Sequence, residues 1–324
     1  MRGRLTQRRP PGKIPRMNTT NRVNNRIARL LSLAGAAGAL LGGLAFTARA
    51  SEAAQLKTKT AEAFEQYIRT SEASMDEEIS GGKTFLWIDA LPAPERREAY
   101  DRLRRGEIVI ERFPSRGPRD AGAIPGGLIH DWVGVVFIPG ASLPRALAML
   151  QDYDHDADYY RGQVLKSKVL WHAGGEFRIV LRLKRTRIIT VIFDTEYNVH
   201  NKQLDATHAT SESHSTRISE VEDAGTAREH DRPVGDDHGF LWRLDSYWRF
   251  READGGVYVQ CRAISLTRDV PAGLGWLVRP FIESIPVESL RSTLEGTRTA
   301  IAKPRDGTQA SLSAGSARSQ LSEP

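Results

Sequence analysis

The sequence predicts an α+β fold in which a curved antiparallel β-sheet wraps around one long C-terminal α-helix. Three observations carry this. A strand-like run, "LIHDWVGVVFI", leads straight into an amphipathic helix, "ASLPRALAMLQDY". Five or six strand-like segments then follow one another with no helix between them. The last periodic stretch, after Pro286, puts Val287, Leu290, Leu294 and Ile301 on one helical stripe.

In chain order, the first segment explains the charge. The chain has 324 residues, a formal charge of +6 and 40% hydrophobic residues, enough apolar material for a sizeable core. Residues 1–50 hold nine Arg and one Lys with no acidic residue, which leaves 36 basic against 40 acidic side chains in the rest. The positive balance therefore belongs to the leader, and a nucleic-acid partner is not expected. An Arg-rich start, the apolar run Leu30–Phe46 and "ARA" at 48–50 read as an export signal cleaved after Ala50. Met17 is an alternative start, and an anchor over residues 30–46 is the alternative to cleavage. In an exported chain the lone Cys261 has no internal disulfide partner, and its strand context makes it a packed residue rather than a thiol nucleophile.

Residues 51–126 read as a helical region and linker. "EAAQLKTKTAEAFEQYIRT" is a helix with a thin apolar stripe that is expected to pack loosely; a second helix starts near Pro94 and stops at Gly106, and a short strand covers Ile108–Ile110. Pro, Gly and Arg from Pro114 to Gly127 form the linker. The main domain spans 127–302. In its helix Ser142 is the cap, Pro144 lies in the first turn, and Leu143, Leu147, Leu150 and Tyr153 share a face. Phe177, Ile179, Leu181 and Leu183 alternate with Arg178, Arg182 and Lys184, and a tight turn at Arg185 and Thr186 leads to "RIITVIFDTEYNV". "ATHATSESHSTRISEV" is strand-like yet polar on both sides. "FLWRLDSYWRF" sets Phe240, Trp242, Leu244, Trp248 and Phe250 against Arg243, Asp245, Tyr247 and Arg249, and "ADGG" turns it into "VYVQCRAISL". Residues 303–324 have the composition of a disordered tail.

Over Gly127–Ala302 the order of elements, with "IPGASLPRALAMLQDYDHDADYYRG", "SYWRF" and "SLTRDVP", resembles the START-like (SRPBCC) superfamily. These are the helix-grip proteins that include lipid-transfer domains, coenzyme-Q-binding proteins and polyketide cyclases. The resemblance implies a cavity between sheet and terminal helix that holds an apolar small molecule, with transient membrane contact and without a cofactor or metal. It sets no oligomeric state.

The candidate lining of such a cavity is Trp132, Leu150, Tyr153, Phe193, Tyr197, Trp242, Trp248, Leu290 and Leu294, since large aromatic and aliphatic side chains line apolar pockets as readily as they fill cores. Arg182, Arg243 and Arg249, on the opposite parity, are expected in water. "LQDYDHDADYYRG" invites a calcium reading, but counted from Asp152 the sixth residue is Ala157 and the twelfth Gln163, where an EF-hand loop needs Gly and Glu. It reads instead as a helix end with its aspartates in solvent and Tyr153, Tyr159 and Tyr160 at the pocket mouth. His208, Glu212 and His214 share a strand face but lack the spacing of a zinc motif. No phosphate loop or nucleophile elbow is present. Three functions stay open: an exported carrier of an apolar molecule; a cyclase-like enzyme using His130 or Asp131; and a filled fold that only binds a partner.

Overall fold

The computed structural model describes residues 54–82, 84–113, 123–186, 189–269 and 275–303, which form one compact unit. The proposed leader, most of the Pro114–Gly127 linker and nearly all of the tail lie outside the described residues.

The main sheet is antiparallel. Its strands are β1 (Val109–Arg112), β2 (Gly127–Pro139), β3 (Val164–Ala173), β4 (Glu176–Thr186), β5 (Thr190–Gln203), β6 (His208–Glu222), β7 (Arg243–Ala253) and β8 (Gly256–Arg268), in the order β1-β2-β8-β7-β6-β5-β4-β3. Two short pieces, Ala123–Ile124 and His230–Asp231, pair with β2 and β6. The helices are α1 (Thr58–Ser80), α2 (Ala93–Arg104), α3 (Leu143–Leu150), α4 (Asp156–Tyr159) and α5 (Gly275–Ala302). Strand, short helices, meander and terminal helix therefore follow the expected α+β helix-grip order. At the β7–β8 hairpin Asp254 and Gly255 both adopt positive φ, 54° and 72°, the conformation a two-residue turn of this hand requires.

Two element boundaries differ from expectation. β4 runs on through Thr186, which pairs with Thr190, so the turn lies beyond Arg185. α5 begins at Gly275 and runs through Pro286 instead of starting after it. Proline is a reliable breaker only where nothing else holds the helix, and the next three turns of α5 are held by the sheet.

α5 and α3 pack on the inner face of the sheet. Val136, Ile138, Trp248, Phe250, Val257, Val259 and Cys261 meet Leu143, Leu150, Leu290, Leu294 and Ile301 there. Gly134 lets α5 approach: a Cβ at that position would sit 2.6 Å from Leu294 Cδ1 and 3.1 Å from Ile110 Cγ1.

Over β2, β7 and β8 the outer face is covered by the N-terminal segment. α1 is not loosely packed: Phe64, Ile68 and Met75 are buried with Ile129, Trp242, Tyr247, Ile264 and Leu266. Its stripe looked thin because Thr60 and Ser71, both buried, complete it with small polar side chains. Beyond it Leu86, Ile88, Ala99 and Leu103 close over Val135, Phe137 and Tyr258. This cover also overturns the expectation for Arg249, which is only 3% exposed. It donates to Glu78 at 2.8 Å and to the carbonyls of Phe85 and Met75. Arg182 is half-buried in a clasp with Asp194 and Glu229 at 2.6 and 2.7 Å, and Arg243 bonds the Trp242 carbonyl.

Candidate functional site

The inner face divides into two halves. Over β2, β8 and β7 it is sealed by α5 and α3, as described above. Over β4 and β5 the alternating apolar residues stand in register: Phe177 pairs with Val199, Ile179 with Tyr197, Leu181 with Thr195 and Leu183 with Phe193. One face of two adjacent strands thus becomes a continuous, largely apolar wall, the outcome that two-residue periodicity dictates once the hairpin register is fixed.

The roof of this second half comes from the segment after α3. Tyr153 is buried, meets Phe177 edge to face at 5.0 Å and exchanges hydrogen bonds with the side chain of Asn201 at 3.1–3.3 Å. Tyr160 reaches α5, its hydroxyl 3.1 Å from Thr297 Oγ1. Between them in sequence, Asp156 is 7% exposed. Burial, reinforced by the charge of Asp152, pushes its carboxyl up to about 8, so it stays protonated at neutral pH. The expectation that all four aspartates face water therefore fails at Asp156. A signal was present: Asp156 lies three residues after Tyr153 and four before Tyr160, on the buried side of a helical turn. Its neighbours behave otherwise, with Asp154 accepting from the Val169 amide at 2.8 Å and Asp152 from Tyr159 and His155.

The nine candidate lining residues separate into groups. Trp132, Leu150, Trp248, Leu290 and Leu294 come together in the sealed half. Tyr153 and Tyr197 meet in the open-register half with Phe177, Ile179 and Val199, and Phe193 stands beside them with Val164, Leu183 and Ile218. Trp242 lies on the other side of the sheet, under α1, with its indole donating to Asp237 at 2.9 Å. It precedes β7, so alternation counted through it from Trp248 does not apply.

Neither alternative catalytic residue faces the apolar wall. Asp131 is on the outer face, clasped by Arg262 at 2.6 and 2.9 Å and by Tyr67 at 2.7 Å. His130 is buried beside Thr267 at 3.0 Å, and desolvation, then the charge of Arg112, lowers it to about 4. His208 is bonded by Asp205, whereas His214 stands between Asp245 and Glu72. Among the described residues no group of three His, Cys, Asp or Glu side chains is arranged to hold a metal ion. The Cys261 thiol is buried and pushed up by desolvation.

Two surface depressions accompany these features. The larger, about 530 Å³, opens beside α4, where Ala157, Ser167, Leu181 and Thr195 meet Lys166 and Arg182. The smaller, about 340 Å³, is polar and lies between Phe85, Arg96, His208 and Arg251. Among the described residues no helix is long and apolar enough to cross a membrane.

No family model and no curated protein matches this chain. Solved structures do. The STAR-related lipid transfer protein of Xanthomonas axonopodis is similar at 18% identity, over 56% of this chain and 97% of that one, with a TM-score of 0.37. Human STARD10 is similar at 8% identity over 69% and 85%, TM-score 0.39. The Zhui aromatase/cyclase from Streptomyces sp. R1128 is similar at 11% identity over 53% and 93%, TM-score 0.35. What this chain's own strands and terminal helix show is the arrangement itself: an antiparallel sheet that grips a C-terminal helix on one face.

Proposed function

We propose that this chain takes up an apolar small molecule, a lipid, quinone or similar, against the inner face of β4 and β5, and that it does so after export. One observation carries the reading. Four successive cross-strand pairs, polar only at Thr195, make that face largely apolar, while the contacts of α5 fall chiefly on β2 and β8. A wall of this kind is itself buried, but its roof is the short segment of Tyr153 and Tyr160 instead of the long helix, which suits a guest that enters by displacing that segment. At about 25 cal/mol per Å² of apolar area removed from water, a ligand hiding a few hundred Å² offsets the cost of its immobilisation. Export rests on the leader's composition alone.

A second reading draws on Asp156. A carboxyl that is protonated at neutral pH and buried beside tyrosines has the properties of a general acid toward a carbonyl, as a cyclase-like reaction needs.

Native mass spectrometry of the protein purified from its own host tests the proposal. A chain starting at or near Ser51 with a reproducible apolar adduct is expected. An intact leader on membrane-fixed protein refutes its cleavage, and a chain that is always empty and takes up no quinone, sterol or fatty acid refutes the carrier.

A further inference from the structure

Strand β3 forms one edge of the sheet, and its hairpin end breaks the pattern of an ordinary exposed strand. Leu170 is 52% and Trp171 50% exposed. The register shifts between Val169, opposite Ile179, and Trp171, opposite Arg178, so Leu170 is the extra residue of a bulge. A bulge re-aims side chains on its strand, and here it presents two large apolar ones to solvent side by side.

Their surroundings are cationic. The pairing of Lys166 with Arg182, Lys168 with Val180 and Trp171 with Arg178 puts these residues on the outer face, and Lys184 shares their parity. β3 and β4 together hold a single carboxylate, Glu176. Lys168 is drawn to Asp154 at 3.2 Å and Arg182 to Asp194 and Glu229; the charge of Lys166 is felt by Glu229, but no direct ion pair among the described residues engages Lys166 or Arg178.

The backbone of this edge is partly closed. The Val169 amide donates to Asp154, and Ser167 Oγ bonds both Asp154 and Ala157. Strand addition by a second copy is therefore blocked at the middle of β3, and two copies would also face each other with like charge. What remains is contact through side chains: an indole and a leucine beside basic residues, the combination that seats at a lipid headgroup boundary.

We propose that the β3–β4 hairpin is a docking surface for an anionic lipid bilayer, with Leu170 and Trp171 entering the interface and Lys166 and Arg178 meeting phosphates. This surface is separate from the apolar wall, and its test does not depend on any cargo.

The full chain is mixed with vesicles of phosphatidylcholine, with and without phosphatidylglycerol, some carrying brominated acyl chains. Wild-type protein is expected to bind the anionic vesicles and lose part of its tryptophan emission to bromine. Trp171→Phe keeps the binding but not that quenching. Replacing Leu170 and Trp171 together by Ser lowers the bound fraction roughly tenfold with unchanged melting. Lys166→Gln with Arg178→Gln weakens binding to anionic vesicles and spares what binding phosphatidylcholine shows. The proposal is overturned if wild-type protein binds neither vesicle, or if Trp171→Phe is quenched as strongly as wild type, since the bilayer then meets another surface such as the leader.

Discussion

Gly134 and Leu294 show how closely the sealed half of the grip is filled. With Leu294 fully buried and Gly134 lacking the Cβ that would strike it, added volume at either position has nowhere to go. Gly134→Ala and Leu294→Trp should each lower stability by about 1–3 kcal/mol, read as a shift of the urea midpoint at constant slope. Asp156 makes a different prediction. Its carboxyl is raised from 3.8 to about 8, so between those values the folded chain keeps a proton that the unfolded chain has released. Stability from this group is therefore whole below about pH 4, falls as pH rises and levels off above about 8. Asp156→Asn should flatten that slope and gain ~2–5 kcal/mol over wild type at pH 8 relative to pH 4, measured by denaturant titration at both. Its burial was legible in the Tyr153, Asp156, Tyr160 spacing, but four aspartates in seven residues pointed more loudly to solvent.

At the level of elements, the strands were readable because a half-buried strand must alternate, and register then follows from the hairpins. Phe177, Ile179, Leu181 and Leu183 all face inward as their spacing requires. What alternation does not say is what covers the other face. Arg249 has the parity of a solvent residue and would be one, were Glu78, Phe85 and Met75 not brought over it from more than 160 positions away in the chain. The same holds for Asp131 and Arg262, whose side chains are 4% and 5% exposed beneath α1. A buried pair adds little net stability, yet stranding one partner is costly. Asp131→Ala should destabilise by about 3–5 kcal/mol, whereas Asp131→Leu combined with Arg262→Met should recover most of the loss in thermal or urea unfolding.

For the molecule as a whole, the order of elements was legible because a meander closed by a terminal helix leaves few alternatives. The N-terminal segment was not, because its role lies in a surface made by strands far along the chain. The candidate lining was legible only as a set of inward residues. Which of them sit under the long helix and which face the apolar wall depends on where α5 lands, and no single-strand pattern carries that. The strand order has one more consequence. β2 pairs along its whole length with β8, from Gly127 with Arg268 to Pro139 with Gly256, so the longest seam under α5 joins one of the first strands made to the last. During synthesis β2 has β1 and Ala123–Ile124 to pair with, but its β8 partner comes only after more than a hundred further residues have left the ribosome. Closing so long a loop is slow, and it comes late. A chain built in this order cannot close its sheet until its last strand has been made.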